Sequence, residues 1–489
     1  MILINKKVFE KRIYFKDDKT LSEWYKDIML EKVKKKYKRQ KDKLNKDLKL
    51  DEEGIIYFFT SEDKTLDLDL IEVLLTYDFI GELSNISEKP PKNINEFIWL
   101  KILGYYLLAK FVFYDLEKIE YEVLEYAKKN EFNINEYMKF MKYIYEKKVK
   151  EFNENFSELK IQPENINIKS NVTEKQNVKS ILKKNIKNEI NNIKQNVSIK
   201  LKGNKFFYKI KNKEINELKD IESFNKIISK VINYNSLSSS QRNLILEMLN
   251  VQVCPYCNRQ YITSYKPTYK GKNKYTVSTA DLDHFYPKSK FPLFSLSLYN
   301  FIPSCHICNS RMKSNKPIPI LYPYEDFFDE EVKFEIVPKD KKQEGKMLVN
   351  LLYGKNDNPN MDNYEIKINI SNVKSEKRKK YIQGSIEMFG LEEVYQSHKK
   401  IAAETIRTQA IYDNEVYHFI MNMLFNSSDM NMGGNKNISK EEISNIDHKI
   451  IENFCESEKN KILYGIDENV EDYDLKTPLS KFIRDMLNI

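Results

Sequence analysis

The chain has 489 residues, 41% hydrophobic and 31% charged, with 32 tyrosines and 27 phenylalanines but only 12 glycines. That length suits two or three domains, each able to bury a core, and the aromatic content excludes a disordered or low-complexity polypeptide. The net charge of +9 is segregated: residues 32–49 hold ten basic and two acidic side chains, residues 169–213 hold thirteen lysines against two glutamates, and residues 452–474 hold eight acids against two lysines.

In chain order, Met1-Ile-Leu-Ile-Asn-Lys-Lys7 lacks the apolar core and small-residue cleavage site of a secretory signal, so a cytoplasmic protein is expected. Thr20-Leu-Ser-Glu-Trp24 offers capping residues ahead of a long charged helix running toward Leu50. The first basic cluster lies on that helix, where it reads either as a polyanion-binding surface or as a solvated face. Residues 93–150 carry Trp99, Leu103, Leu107, Val123 and Tyr137 at helical spacing. The most apolar stretch, 97–114, is broken by Lys101 and Lys110 and reads as a buried helix, so no membrane partner is expected.

From residue 153 to about 196 the chain turns to Asn, Lys and Ile and reads as a linker, although Val178, Leu182, Ile186, Ile190 and Ile193 share one helical stripe. Residues 198–210 alternate around Gly203-Asn204 and predict a β-hairpin, with Phe206, Phe207 and Tyr208 packing one face on a core. Short helices follow over 224–232 and, behind a Ser238-Ser239-Ser240 cap, over 241–249. Farther on, 364–370 reads as a strand and 374 to about 424 as helix. The organisation expected is an α-rich domain over 1–156, a basic linker and hairpin region over 157–235, a metal-braced domain over 236–325 and a mostly helical region over 326–489.

Four of the five cysteines form two Cys-x-x-Cys pairs, Cys254/Cys257 and Cys305/Cys308. Four thiolates complete a tetrahedral Zn²⁺ shell and leave no open position, so the chemistry must lie elsewhere. In a reducing compartment such pairs read as metal ligands rather than disulfides. Between them stands Asp283-His284. A histidine can take a proton from water near neutral pH, and a carboxylate is a hard ligand for Mg²⁺; cleaving a phosphodiester needs both. Asn309 follows Cys308 directly and is a second candidate ligand for a catalytic cation. Asn300 lies on a short apolar run from which it can hydrogen-bond the loop carrying His284. Arg311, Lys313 and Lys316, on a short helix after Asn309, are candidate phosphate contacts. Asp281, on the same strand face as Asp283, reads as a satisfied surface acid. His306 lies beside a shell that four thiolates already fill. His398, His418, His448 and Cys455 read as structural.

The order Cys254-Pro-Tyr-Cys-Asn258, Leu282-Asp-His-Phe-Tyr-Pro-Lys288, then Tyr299-Asn-Phe-Ile-Pro-Ser-Cys-His-Ile-Cys-Asn309 resembles the HNH nucleases with a ββα-metal active site. It is most similar to the four-cysteine zinc branch found in bacterial defence and mobile-element proteins. The resemblance covers roughly 253–316; Leu321-Tyr-Pro-Tyr324, Tyr395-Gln-Ser-His-Lys399 and Pro478-Leu-Ser-Lys-Phe482 look like the helical tail of such proteins. It implies a mainly α protein with a small α+β module, a ββα-metal HNH core braced by a four-cysteine zinc site and flanked by helical regions. It makes His284 the general base, Asp283 and Asn309 the ligands of Mg²⁺ or Mn²⁺, and Asn300 the residue that orients the loop. The third motif position holds Asn309 where the family name has His. The implied activity is endonucleolytic cleavage of DNA in anti-phage defence, gated by a partner such as an ATPase or by self-association. Two other readings remain open: an RNA-cleaving nuclease, and a non-catalytic zinc-scaffolded subunit that binds nucleic acid.

Overall fold

The computed structural model describes chiefly residues 1–7, 18–47, 66–85, 91–116, 159–163, 197–201, 221–265, 277–316, 319–340, 361–411, 463–467 and 472–487, with scattered single positions between. Helices predominate, with four separate two-stranded antiparallel sheets. Among the described residues no helix is long and apolar enough to cross a membrane.

Helix α1, Leu21–Asp47, begins at a reciprocal cap. The Thr20 amide and hydroxyl donate to the Glu23 carboxylate, and the Glu23 amide returns a bond to the hydroxyl. Its buried stripe, Leu21, Tyr25, Met29, Val33 and Tyr37, recurs every four residues, which leaves Lys35 and Lys38 exposed and Lys26, Lys32, Lys34 and Lys36 half-buried. Helices α2 (Leu68–Thr76) and α3 (Phe79–Asn85) follow, α2 capped by Asp67 and packed on α1. Helix α4, Glu96–Lys110, buries residues around its whole circumference, among them Trp99, Ile102, Tyr106 and Leu107. It is a core helix, which explains its apolar composition.

Strand β1 (Leu159–Pro163) pairs with β2 (Val197–Leu201). The expected first hairpin arm therefore has its described partner upstream, inside the stretch read as linker; residues 202–210, the expected second arm, lie outside the described residues, as do Val123, Tyr137, the 178–193 stripe, His418, His448 and Cys455. Helices α5 (Ile221–Val231) and α6 (Ser239–Leu249) lead to the cysteines, α6 opening on a capping box between Ser238 and Gln241.

A short ladder of β3 (Ser264–Tyr265) and β4 (Val277–Ser278) precedes the central hairpin. There β5 (Asp281–His284) pairs antiparallel with β6 (Phe301–Ser304), Asp283 opposite Ile302 and His284 opposite Phe301. A wide π-helical turn, Ile307–Lys313, follows. Strands β7 (Lys333–Pro338) and β8 (Tyr364–Asn369) form a third ladder of the C-terminal half, where sequence pattern suggests β8 alone. The chain continues through α7 (Glu376–Met388), α8 (Leu391–Tyr395), α9 (Lys399–Ile411), α10 (Tyr473–Lys476) and α11 (Ser480–Leu487).

Much of this framework converges on the hairpin and the cysteines. Tyr322 Oη donates to the Tyr299 carbonyl and Tyr324 Oη to the Phe301 carbonyl, both at 2.8 Å, so the Tyr-Pro-Tyr motif props the start of β6. Tyr395 Oη donates to the Cys257 carbonyl at 2.8 Å, and its ring packs on Phe482 of α11. Asn258, in the left-handed region at φ 49°, turns the chain after the first cysteine pair. Its carbonyl and side chain then accept from the backbone at Leu479 and Lys481, fastening the head of α11 to the knuckle.

Candidate functional site

The first cysteine pair leaves α6 on a tight turn in which the Asn258 amide donates to the Cys254 carbonyl at 2.8 Å. The second pair caps the strand β6, where the Cys308 amide points at Cys305 Sγ, 3.5 Å away. All four sulfurs are buried and lie within 4.8 Å of one another, which fits the edges of a tetrahedron built on Zn–S bonds of about 2.3 Å. Burial, with the Cys257 and Cys305 thiols beside it, pushes the Cys254 thiol well above its ordinary pKa, so four thiolates in this space need a cation among them. The four cysteines fit zinc, which would supply a structural cross-link between residues some fifty positions apart and no open coordination position for substrate.

Such a cross-link would hold the phase of the π-helical turn against β5. Residues two apart on a strand share a face, and residues four apart on a helical turn do likewise. Asp281 and Asp283 therefore look toward the turn, which answers with Asn309 opposite the first and Lys313 opposite the second. Asn309 Nδ2 donates to Asp281 Oδ2 at 3.0 Å, and His306 Nδ1 lies 2.9 Å from the same oxygen. Asp281 is 34% exposed and His306 69%.

Asp283 is closed in. Tyr256 Oη donates to its Oδ2 at 2.7 Å, and Lys313 Nζ donates to its Oδ1 at 3.1 Å while also reaching the His284 carbonyl at 2.6 Å. Both side chains of the Asp283–Lys313 pair are 4% exposed. Lys313, expected at the surface facing phosphates, is thus an interior cation. The wide turn directs it inward, and a carboxylate buried with it supplies the countercharge that burial demands. Arg311 and Lys316 remain exposed.

His284 points to the opposite face of β5. It is buried, with ring edges of Tyr234 and Phe301 against it at centroid distances of 4.6 and 5.2 Å. Its Nε2 lies 3.0 Å from the Ser295 carbonyl oxygen. A carbonyl only accepts, so the ring proton sits on Nε2 and Nδ1 keeps its lone pair. Burial pushes the pKa down from the usual 6.5 to about 3, helped by Lys288, Lys313 and Arg242 nearby and opposed by the Ser295 carbonyl. The ring is neutral at physiological pH.

Asn300 is fully buried at the end of a 3₁₀ turn, one residue ahead of β6. Its Oδ1 accepts from the Tyr286 amide at 2.7 Å, and its Nδ2 donates to the carbonyls of Tyr286 and Phe294 at 3.1 and 2.9 Å. It staples the loop that follows His284 and touches none of the acids.

The structure therefore brings Asn309 to Asp281, not to Asp283, and among the described residues no hydrogen bond joins Asp283 to Asn309. As placed, Asp283 does not fit a Mg²⁺ ligand, because both its oxygens are already engaged by Tyr256 and Lys313. Asp281 and Asn309 fit better, presenting a carboxylate and an amide at an open position. The alternation of Asp281-Leu-Asp283 was the signal for this, since it puts both acids on one face. His398 accepts from Arg259 Nε at 2.8 Å, away from this cluster. Family models, curated proteins and solved structures yield no match to the chain.

Proposed function

We propose that the chain is a metal-dependent HNH-type endonuclease that hydrolyses phosphodiester bonds of DNA, its ββα-metal core being β5, β6 and the turn that follows, braced by zinc. The observation that carries this reading is the tautomer of His284. A carbonyl fixes the ring with Nδ1 as a bare acceptor, Asn300 staples the loop beneath it, and neither arrangement is needed by a scaffold. Nδ1 takes the proton of the attacking water, and Nε2–H stays on the Ser295 carbonyl to hold the ring while charge develops. Asp281 and Asn309 are the residues that would hold Mg²⁺ or Mn²⁺; when bound, that cation offsets the negative charge gathering on the phosphate and leaving oxygens. Asp283 can join them only where Lys313 withdraws from its carboxylate. In a host cell such an enzyme suits anti-phage defence, held in check by a partner such as an ATPase or by self-association.

One observation favours a second reading. The saturated Asp283–Lys313–Tyr256 cluster is what a zinc-scaffolded, non-catalytic nucleic-acid-binding subunit would retain, since a fixed internal cation has replaced the need for an exchangeable one. Incubating purified protein with plasmid DNA and with RNA, in Mg²⁺ or Mn²⁺ and in EDTA, separates the readings. The nuclease reading expects metal-dependent cleavage that His284→Ala abolishes, and preference for RNA would move the substrate to that alternative. Absence of cleavage by zinc-replete protein in either metal would leave the scaffold reading.

A further inference from the structure

A pair of cations crowds one tyrosine beside His284, with Asp281 the acid near enough to act on the same tyrosine. Tyr234, whose ring edge meets His284, carries the Arg242 guanidinium 4.6 Å from its ring centroid and the Lys288 ammonium 4.5 Å from it. Arg242 is anchored by its Nε and Nη2 on the Leu237 carbonyl, at 3.1 and 2.9 Å, a neutral acceptor. Among the described residues neither cation forms an ion pair with an acid. Lys288 is exposed at the surface; partial desolvation of its ammonium and, second to it, the neighbouring Arg242 push it below its ordinary pKa. The ring attracts each cation, and Arg242 also hydrogen-bonds Tyr234, but the two like charges repel one another; an anion seated between them would offset that repulsion.

The charge does not stop there. Lys32 of α1 donates to the Ser236 carbonyl and to Gln241 Oε1, both at 2.7 Å, so the basic helix is bolted to the segment carrying Tyr234 and Arg242. Lys36 and Arg39 follow Lys32 at steps of four and three, which places them on one side of α1, and residues 32–49 carry ten basic side chains against two acids. At a rise of about 1.5 Å per residue Lys32 to Arg39 span roughly 10 Å of α1, longer than a single phosphate.

We propose that Arg242 and Lys288, held on Tyr234 beside His284, seat a backbone phosphate of nucleic acid, and that the Lys32–Lys36–Arg39 side of α1 carries the same backbone onward. Residues widely separated in the chain then form one track: the helix whose charge was ambiguous in the sequence guides the strand, and the cation pair places one phosphate against the His284 ring. The identity of the ligand as a substrate rests on the nuclease reading, whereas the binding track does not.

The test is equilibrium binding of a fluorescein-labelled DNA duplex in EDTA over a series of salt concentrations, with single-stranded RNA of equal length and inorganic phosphate as competitors. Lys288→Gln and Lys36→Gln are compared with Lys400→Gln, an exposed lysine on α9, and zinc content and thermal melting confirm that each variant folds. Each of the first two should weaken duplex binding roughly tenfold at low salt and lower the salt slope by about one, while Lys400→Gln leaves both unchanged. RNA competing better than the duplex would keep the track and assign it to RNA. Duplex affinity unaltered by Lys288→Gln, no binding by the wild type, or displacement by phosphate at equal concentration would overturn the proposal. Weakened binding in the variants, with no cleavage by the wild type in Mg²⁺, would sink the nuclease reading and leave the track standing; cleavage by the wild type with Lys288→Gln unaltered in binding and rate does the reverse.

Discussion

Asp281 and Asp283 stand two residues apart on the same face of the same strand, yet their surroundings are opposite. Asp281 is open, and its neighbours Asn309 and His306 are groups that a cation could displace or join. Asp283 is sealed, bonded to Tyr256 and to a buried ammonium. The difference arises on the facing turn, which offers an amide to one carboxylate and a lysine to the other, in a phase that the cysteines set. Opposing side chains, and not residue type, decide which acid is available for chemistry and which one holds the structure.

The strongest way to break this comparison is to release the turn. Cys254→Ser, or chelation of the metal, should cost on the order of 10 kcal/mol of coupled folding free energy, seen as loss of the roughly one zinc per chain and as protease cleavage between the two cysteine pairs. A stable metal-free protein would show that the phase is set otherwise. Next in size is the sealed end. Lys313→Met strands a buried carboxylate and should cost about 3–5 kcal/mol in urea denaturation, while the double variant Lys313→Met with Asp283→Asn should recover much of it. Equal losses in the single and double variants would mean that the pair does not interact.

His284 gives a pH signature of intermediate size. An unfolded histidine protonates near 6.5 and this one at about 3. The unfolded state therefore binds the extra proton between those values, so the contribution is fully present above pH 6.5 and is lost as the pH falls toward 3. Between pH 7 and pH 5 the loss from this group is about 2 kcal/mol, a limb that should be missing from His284→Asn. The smallest effect belongs to the open end: Asp281→Asn should change stability by less than about 1 kcal/mol, because His306 is exposed and Asn309 only half-buried, while sharply lowering cleavage supported by Mg²⁺. Wild-type activity in Asp281→Asn would return the cation to Asp283.

Local signals in the sequence were sufficient wherever a structure is closed by neighbours in the chain. The Thr20–Glu23 and Ser238–Gln241 caps, the all-round apolar helix α4 and the alternation of β8 are of this kind. The four cysteines were legible because zinc ligation imposes spacing on the sequence itself. Pairing across long separations was not. Strand β2 meets a partner some forty residues upstream, and the short alternation of Lys333-Phe-Glu-Ile in β7 does not by itself name β8 as its partner. Lys313 reads as surface because lysines usually are; only the i, i+2 face of β5 and the i, i+4 face of the turn, superposed through the cysteines, place it beneath Asp283. The motif residues Tyr322, Tyr324, Tyr395 and Asn258 carried resemblance in the sequence, but their task as props of β6 and of the first cysteine pair depends on tertiary contacts.

The central claim, that a tautomer-fixed His284 activates water for phosphodiester hydrolysis, is tested most directly by cleavage of supercoiled plasmid by zinc-replete wild type and His284→Ala in Mg²⁺ or Mn²⁺, with EDTA as the control. The expected result is metal-dependent nicking or linearisation by the wild type and a loss of at least about 100-fold in His284→Ala with zinc content unchanged. Cleavage that survives His284→Ala, or its absence from the wild type in both metals, would contradict it.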